Sequence, residues 1–552
     1  MSDSLSYSYY IYHMLKHIEN SSVGILTIDQ DDLKHFRIWE ELGTVGRMIG
    51  NVVEEITMEN HRGLDSLISG ISEEEMEEFY AGIAQGLSIK EIEFSNCHVS
   101  GHILKLFDTE NVDVLRFRNC KMTSQTTGAI RRRPRLKILE FEGEIEFEDV
   151  DDSANFIPLN NKYDLEVIYI RNLRMNELGL LALVDLTSDL ISNTLSLKFF
   201  ECGDEVLWQL RPFLVNSSSL QEMEFCCNEG TVMTEEGWQV VSDVLSSPVT
   251  ALTSLIMSSG NMHVESAVAL ASGLACNATL EYIEFTTVGV VAAGWPSIMS
   301  ALQNPNLRLK DIRVADIPTM NDEVLTSLVD VLISKRDSIE RFDVVDCHEI
   351  TAAGWLALSA AFVTPMPNLW KLGMGNANFD DDATVALARV LNNIPSMTYL
   401  SLRWAIITTT GWGALSKSLC DTSSADAIRK SHHTLDSIEN YCKRPPSINM
   451  LLDMNRKCRG NPSNAARLKM VQYSDKINIE CLVDDEPELQ TKLVPGVLSW
   501  LGENPQKQTA LFHFIRNHVS LFESASKDCS RDIVAKKSSL NRVSKRKHGL
   551  IC

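Results

Sequence analysis

The chain has 552 residues, enough for several ordinary domains or for one long solenoid without a single core. Its 44% hydrophobic and 23% charged residues are the mix of a folded protein, and no run approaches the roughly 18 consecutive apolar residues of a membrane span. A net charge of -23 argues against broad nucleic-acid binding and suits solubility or basic partners, and thirteen cysteines without a repeated pairing pattern fit reduced thiols inside a cell.

The N-terminus, "MSDSLSYSYYIYHMLKHIEN", lacks the basic segment and apolar core of a secretory signal. Residues 1–50 are expected to form an N-terminal cap, with Ile38, Trp39 and Leu42 as its apolar contacts. From there the pattern L-x-x-L-x-L recurs, as "LKILEF" from Leu136, "LEVIYI" from Leu165, "LEYIEF" from Leu280, "LKDIRV" from Leu309, "IERFDV" from Ile339, "LWKLGM" from Leu369 and "MTYLSL" from Met397. Looser copies start at Val53, Ile89, Val112, Thr194, Leu220, Leu252 and Leu435, which gives roughly fourteen strands over 51–446. Between them, stretches such as "VESAVALASGLACNATL" place apolar residues three and four apart, the spacing of a helix with one buried face. Neither element can bury its apolar face alone, so stacked units must share a core between a parallel sheet and a layer of helices.

Every second unit carries a Gly-Trp pair: "TEEGWQVVSDVL" from Thr234, "VAAGWPSIMSAL" from Val291, "TAAGWLALSAAF" from Thr351 and "TTTGWGALSKSL" from Thr408. A half-copy, "MNELGLLALVDL", starts at Met175. Glycine at the helix entrance is expected to permit a tight turn, and Trp238, Trp295, Trp355 and Trp412 to pack between repeats.

These units resemble the leucine-rich repeats of the ribonuclease-inhibitor type, and the paired pattern resembles the large sets of such proteins in unicellular algae. The resemblance implies an α/β leucine-rich repeat solenoid, a horseshoe with a parallel sheet on its concave face and helices on its convex face. It also implies that Asn or Cys about eight residues into each repeat turns inward and bonds to loop backbone. Counting gives Cys97, Cys120, Cys202, Asn228 and Cys347, and one position earlier Asn60, Asn172, Cys227, Asn376 and Cys442.

Strand alternation assigns acids and aromatics to the concave face. The expected partner-binding residues are Tyr169, Glu224, Tyr282, Glu284, Asp343, Trp370, Tyr399 and Arg403, with Tyr441 among the further aromatics of that face. Past Pro445 and Pro446 the period stops. Residues 447–525 read as a helical C-terminal cap, and the basic, serine-rich 526–552 as a disordered tail. His432 and His433 fall in a loop and read as surface residues.

No phosphate loop, nucleophile elbow or metal-binding helix motif occurs, so no catalytic residue, cofactor or metal is expected. The expected function is a non-catalytic interaction scaffold, monomeric and cytoplasmic, with an unidentified protein partner of basic character. The resemblance also admits an inhibitor or GTPase activator acting on a partner enzyme, and the tail admits a nuclear role.

Overall fold

A computed structural model of the chain describes residues 25–29, 55–59, 73–85, 89–108, 111–131, 135–148, 165–176, 178–179, 195–227 and 233–473, without 377 and 442. The expected contacts of Ile38, Trp39 and Leu42, the ladder positions Asn60, Asn228 and Cys442, and the chain beyond 473 lie outside the described residues. The chain divides into two compact units, Met1–Glu349 and Ile350–Cys552.

In the first unit the strands succeed one another in chain order, each parallel to the last. Glu55–Glu59, Glu91–Ser95, Val114–Arg118, Ile138–Phe147, Val167–Met175 and Leu195–Phe200 lead into Leu220–Cys226. Ser254–Ser258, Tyr282–Thr286, Asp311–Ala315 and Arg341–Val345 continue the sheet. It also extends backwards, because Ile25–Asp29 pairs in parallel with Glu55–Glu59 inside the segment expected to be the cap. The in-register pairing stacks equivalent positions into rows. One inner row runs Phe94, Phe117, Phe141, Ile170, Phe199, Phe225, Met257, Phe285, Val314 and Val344, all buried. Successive rings in it stack at 5.4 Å (Phe94 and Phe117), 5.6 Å (Phe117 and Phe141) and 5.1 Å (Phe199 and Phe225).

Helices cover this inner face. Asp204–Asn216, Glu235–Ser246, Val264–Cys276, Trp295–Leu302 and Asp322–Ser334 each bury one stripe. In the helix Val264–Cys276, a Cβ on Gly273 would come within 2.6 Å of the Ser242 backbone, so only glycine permits this approach to the preceding helix.

The second unit repeats the plan with strands Lys371–Gly375, Tyr399–Ser401 and Ser437–Glu439, parallel and in register. The helix Ala352–Ala361 precedes the first of them in sequence, and Asp381–Val390 and Thr409–Leu419 lie between them. The helices Pro446–Lys457 and Pro462–Gln472 come next and close its last repeat by hydrogen bonds to loop carbonyls. Asn455 Nδ2 donates to the Leu435 carbonyl at 2.7 Å, and Lys469 Nζ to those of Leu419 (2.7 Å) and His432 (2.9 Å). His432 and His433 are therefore not surface residues as their loop position suggests. His432 is buried against the Ile394 carbonyl, and burial lowers both imidazoles to about 4.

Trp238, Trp295, Trp355 and Trp412 are all buried. Trp295 meets Phe285 edge-on at 5.3 Å, and Trp355 meets Phe379 at 5.6 Å. The indole N–H of Trp355 donates to Asn376 Oδ1 (2.9 Å), and that of Trp295 to Thr319 Oγ1 (3.1 Å). The paired glycine has a different role from the expected one. Gly294 sits in ordinary helical conformation at φ -82°, and its Cβ would meet Ala267 Cβ at 2.7 Å. A Cβ on Gly237 would meet Asp204 Oδ1 at 2.3 Å, and one on Gly411 would meet Asp381 Oδ1 at 2.5 Å. The glycine gives clearance to the neighbouring helix rather than freedom to turn.

Those aspartates explain the threonine three residues earlier. Asp204 accepts from Thr234 N (3.0 Å) and Thr234 Oγ1 (2.6 Å), while Thr234 Oγ1 caps its own helix by accepting from Glu236 N. Asp381 accepts from Thr408 N (2.9 Å) and Gly411 N (3.1 Å), and also from Thr408 Oγ1. Where the preceding helix begins with Val264 instead of an acid, the capping position holds Val291.

Candidate functional site

The buried cysteines account for themselves structurally. The thiols of Cys97, Cys120 and Cys202 donate to the carbonyls of Met58 (3.1 Å), Phe94 (3.2 Å) and Ile170 (3.4 Å), each one repeat back. Burial pushes the thiols of Cys120, Cys202 and Cys347 up to about 12, so they remain protonated donors. Asn376 bonds inward as expected, whereas Asn172 is exposed and Leu173 takes the buried position. Asn440 does the ladder's work in the last repeat, donating to the Leu402 carbonyl at 2.8 Å, and the count from the strand start missed it.

One position before the inward residue, the backbone is left-handed. Asn96, Asn119, Asn172, Glu201, Ser259, Thr287, Asp316, Asp346 and Trp404 have φ between 42° and 62°. The N–H groups of Asn96, Asn119, Glu201, Ser259, Thr287 and Asp316 carry the strand ladder one residue further, as Ser259 N to Thr286 O (2.8 Å) and Asp316 N to Val345 O (3.0 Å). The conformation belongs to the repeat; its occupants are mostly small and polar, which suits it. Trp404 is the exception.

On the helix-free face of the first unit, the register brings Glu93, Arg116, Glu140, Tyr169, Lys198, Glu224, Ile256, Glu284, Arg313 and Asp343 into one row. Directly adjacent charges in the row have opposite signs, and most of them pair. Arg116 Nε lies 2.9 Å from Glu140, Arg171 Nε 2.6 Å from Glu140, Lys198 Nζ 2.7 Å from Glu224 and Arg313 Nη1 3.2 Å from Glu284. Tyr282 donates its hydroxyl to Glu284 in the same cluster, and burial, reinforced by this bond, raises its pKa. Tyr169 stacks on Phe200 at 6.1 Å, with the Arg171 guanidinium 4.1 Å above the Phe200 ring. The expected residues Tyr169, Glu224, Glu284 and Asp343 thus share one row, with Tyr282 in the adjacent one. Glu224 and Glu284 are engaged with cations of the same face, and Asp343 is nearly buried.

The face of the second unit is different. Glu439 accepts from Tyr399 Oη (2.5 Å), Ser401 Oγ (3.0 Å) and Arg403 Nε (3.0 Å). Burial opposes ionisation of Glu439, but these three bonds outweigh it and hold the carboxyl below its usual range. The expected residues Tyr399 and Arg403 meet on this carboxylate. Beside them the Trp404 and Tyr441 rings lie 4.4 Å apart at 36°, with Trp404 56% and Tyr441 60% exposed. Trp370, the third expected residue here, precedes the strand Lys371–Gly375 and is 39% exposed. Trp404 escaped the count because it lies past the strand pattern.

These repeats, each with a strand in parallel register and most with a covering helix, define a leucine-rich repeat solenoid. No protein-family model matches the chain, and no curated protein matches its sequence. Solved structures similar to it include the yeast Rad7–Elc1 complex, at 15% identity over 72% of this chain and 84% of that chain, with a TM-score of 0.31. The TLR13–ssRNA13 complex matches at 12% identity over 71% of this chain and 53% of that one, with a TM-score of 0.36. An internalin (InlF) from Listeria monocytogenes matches at 13% identity over 73% and 94%, with a TM-score of 0.26. Among the described residues no helix is long and apolar enough to cross a membrane.

Proposed function

We propose that the protein is a non-catalytic interaction module that holds a partner protein on the helix-free face of its sheet, with the strongest contacts around Trp404 and Tyr441. The observation that carries this reading is a bulky tryptophan, solvent-exposed and packed at a tilt against an exposed tyrosine, at a left-handed position that elsewhere holds small or polar residues. Neither folding stability nor solubility favours that placement, whereas exposed Trp and Tyr dominate the energetics of protein interfaces. The expected sites of the first unit rank lower, because carboxylates already paired with neighbouring cations must give up those pairs to bind. We read the repeats as the ribonuclease-inhibitor type, supported by the 13-residue helices Val264–Cys276 and Asp322–Ser334. Residues 447–525 are read as the cap, supported by the contacts of Asn455 and Lys469. Buried, hydrogen-bonded thiols support a reducing, intracellular setting.

The test is affinity capture from cells with the full chain beside a Trp404→Ala, Tyr441→Ala variant, identifying bound proteins by mass spectrometry. A partner lost from the variant is expected, with a loss on the order of 2 kcal/mol or more once its affinity is measured. A partner retained at full affinity by a variant with unchanged circular dichroism would move the contact elsewhere.

A further inference from the structure

The whole-chain charge of -23 points to a basic partner, but the face around Trp404 has the opposite local sign. Its three strands present Lys371 and Gly373, Tyr399 and Ser401, and Ser437 and Glu439 in register. Glu439 is the one acid among them, and its oxygens are already taken by Tyr399, Ser401 and Arg403. The side chains at Gly373 and Ser401 are small, and both positions are buried. The Lys371 ammonium stands over the Tyr399 ring at 5.9 Å, and Arg403, Trp404 and Tyr441 rise at the other end. Beyond Tyr441, Lys443 is exposed, and Arg444 folds back to donate to the Ile438 carbonyl. Among the described residues neither Lys443 nor Arg444 has a carboxylate within ion-pair distance.

We propose that this face takes an acidic protein segment that carries apolar side chains, the apolar groups resting on Trp404 and Tyr441 and the carboxylates meeting Lys371 and Lys443. This rests on the interaction reading above and adds the chemistry of the partner. Screening over about 8 Å at physiological salt lets these local cations decide for a short segment. A nucleic acid fits less well. A long polyanion is opposed by the chain's net charge of -23.

The test uses the full chain and three fluorescently labelled probes in anisotropy titrations: a short peptide alternating Glu with Leu and Phe, the same peptide with Lys for Glu, and oligo(dT). Binding of the acidic peptide at least about tenfold tighter than the lysine peptide is expected, weakening as NaCl is raised. Lys443→Glu and Lys371→Glu should each weaken the acidic peptide severalfold, with circular dichroism unchanged. Equal affinity for the two peptides, no binding of the acidic one, or preference for the lysine peptide or oligo(dT) would overturn the proposal. A cellular partner lost with Trp404→Ala, Tyr441→Ala yet indifferent to Lys443→Glu would keep the docking face and refute only its acidic specificity.

Discussion

At the scale of single residues, the Gly-Trp pair shows one side chain made necessary by another. Asp381 bonds to the start of the next helix through Thr408 and Gly411 N, and its Oδ1 lies where a Cβ on Gly411 would stand. The carboxylate is held below its ordinary range by those donors, although burial acts against it. Gly411→Ala is expected to destabilise the second unit by about 1–3 kcal/mol through this clash. In a double-mutant cycle read by chemical denaturation, Asp381→Ala should recover part of that loss, because it removes the obstructing oxygen along with the bond. Strict additivity would mean that Ile407 Cγ2, 2.8 Å from the same point, sets the limit instead. The sequence shows the Gly-Trp pair plainly and hides its cause, since Asp381 is 30 residues from Gly411 and belongs to a different helix.

Among elements, the helices Pro446–Lys457 and Pro462–Gln472 satisfy the backbone of the last repeat with buried polar groups, and this makes the end of the solenoid acid-sensitive. His432 is neutral and enclosed, with burial as the first cause of its fall to about 4 and the Lys469 charge adding to it. An unfolded chain takes up this proton near 6.5, so between those values it binds more protons than the folded chain does. Stability is therefore complete above about pH 6.5 and declines as the pH falls towards 4, by on the order of 3 kcal/mol for this group. Urea midpoints measured across that window should flatten in His432→Gln, and an unchanged slope would assign the acid sensitivity to other groups. Strands and helices from Leu280 onward were legible because their apolar spacing is regular, and the helix Pro446–Lys457 because Ile448, Leu451 and Leu452 form one buried stripe. The alternating charge row was not. Its partners are 24 to 31 residues apart, and only the parallel register brings Arg116 and Arg171 to either side of Glu140.

For the whole molecule, stacking of neighbours means that damage should spread only locally. Trp355→Ala removes a fully buried ring and leaves Asn376 without its indole donor, a loss of about 3–5 kcal/mol. Hydrogen exchange should then speed up in 352–419, while the strands Leu195–Phe200 and Leu220–Cys226 keep their protection. Uniform acceleration along the chain would show that the solenoid unfolds as one cooperative body. Composition and period revealed the architecture at this scale. Counting charges by residue type could not tell a carboxylate already engaged, such as Glu224, from a cation left open, such as Lys443.

Trp404 sets a conflict between folding and recognition. Its backbone stands at φ 59°, a conformation that costs an L-residue roughly 1–2 kcal/mol and costs glycine nothing comparable. Trp404→Gly should therefore raise the melting temperature of the protein and, on the proposed function, abolish its hold on the partner. A chain selected only for thermal endurance would be expected to discard this tryptophan.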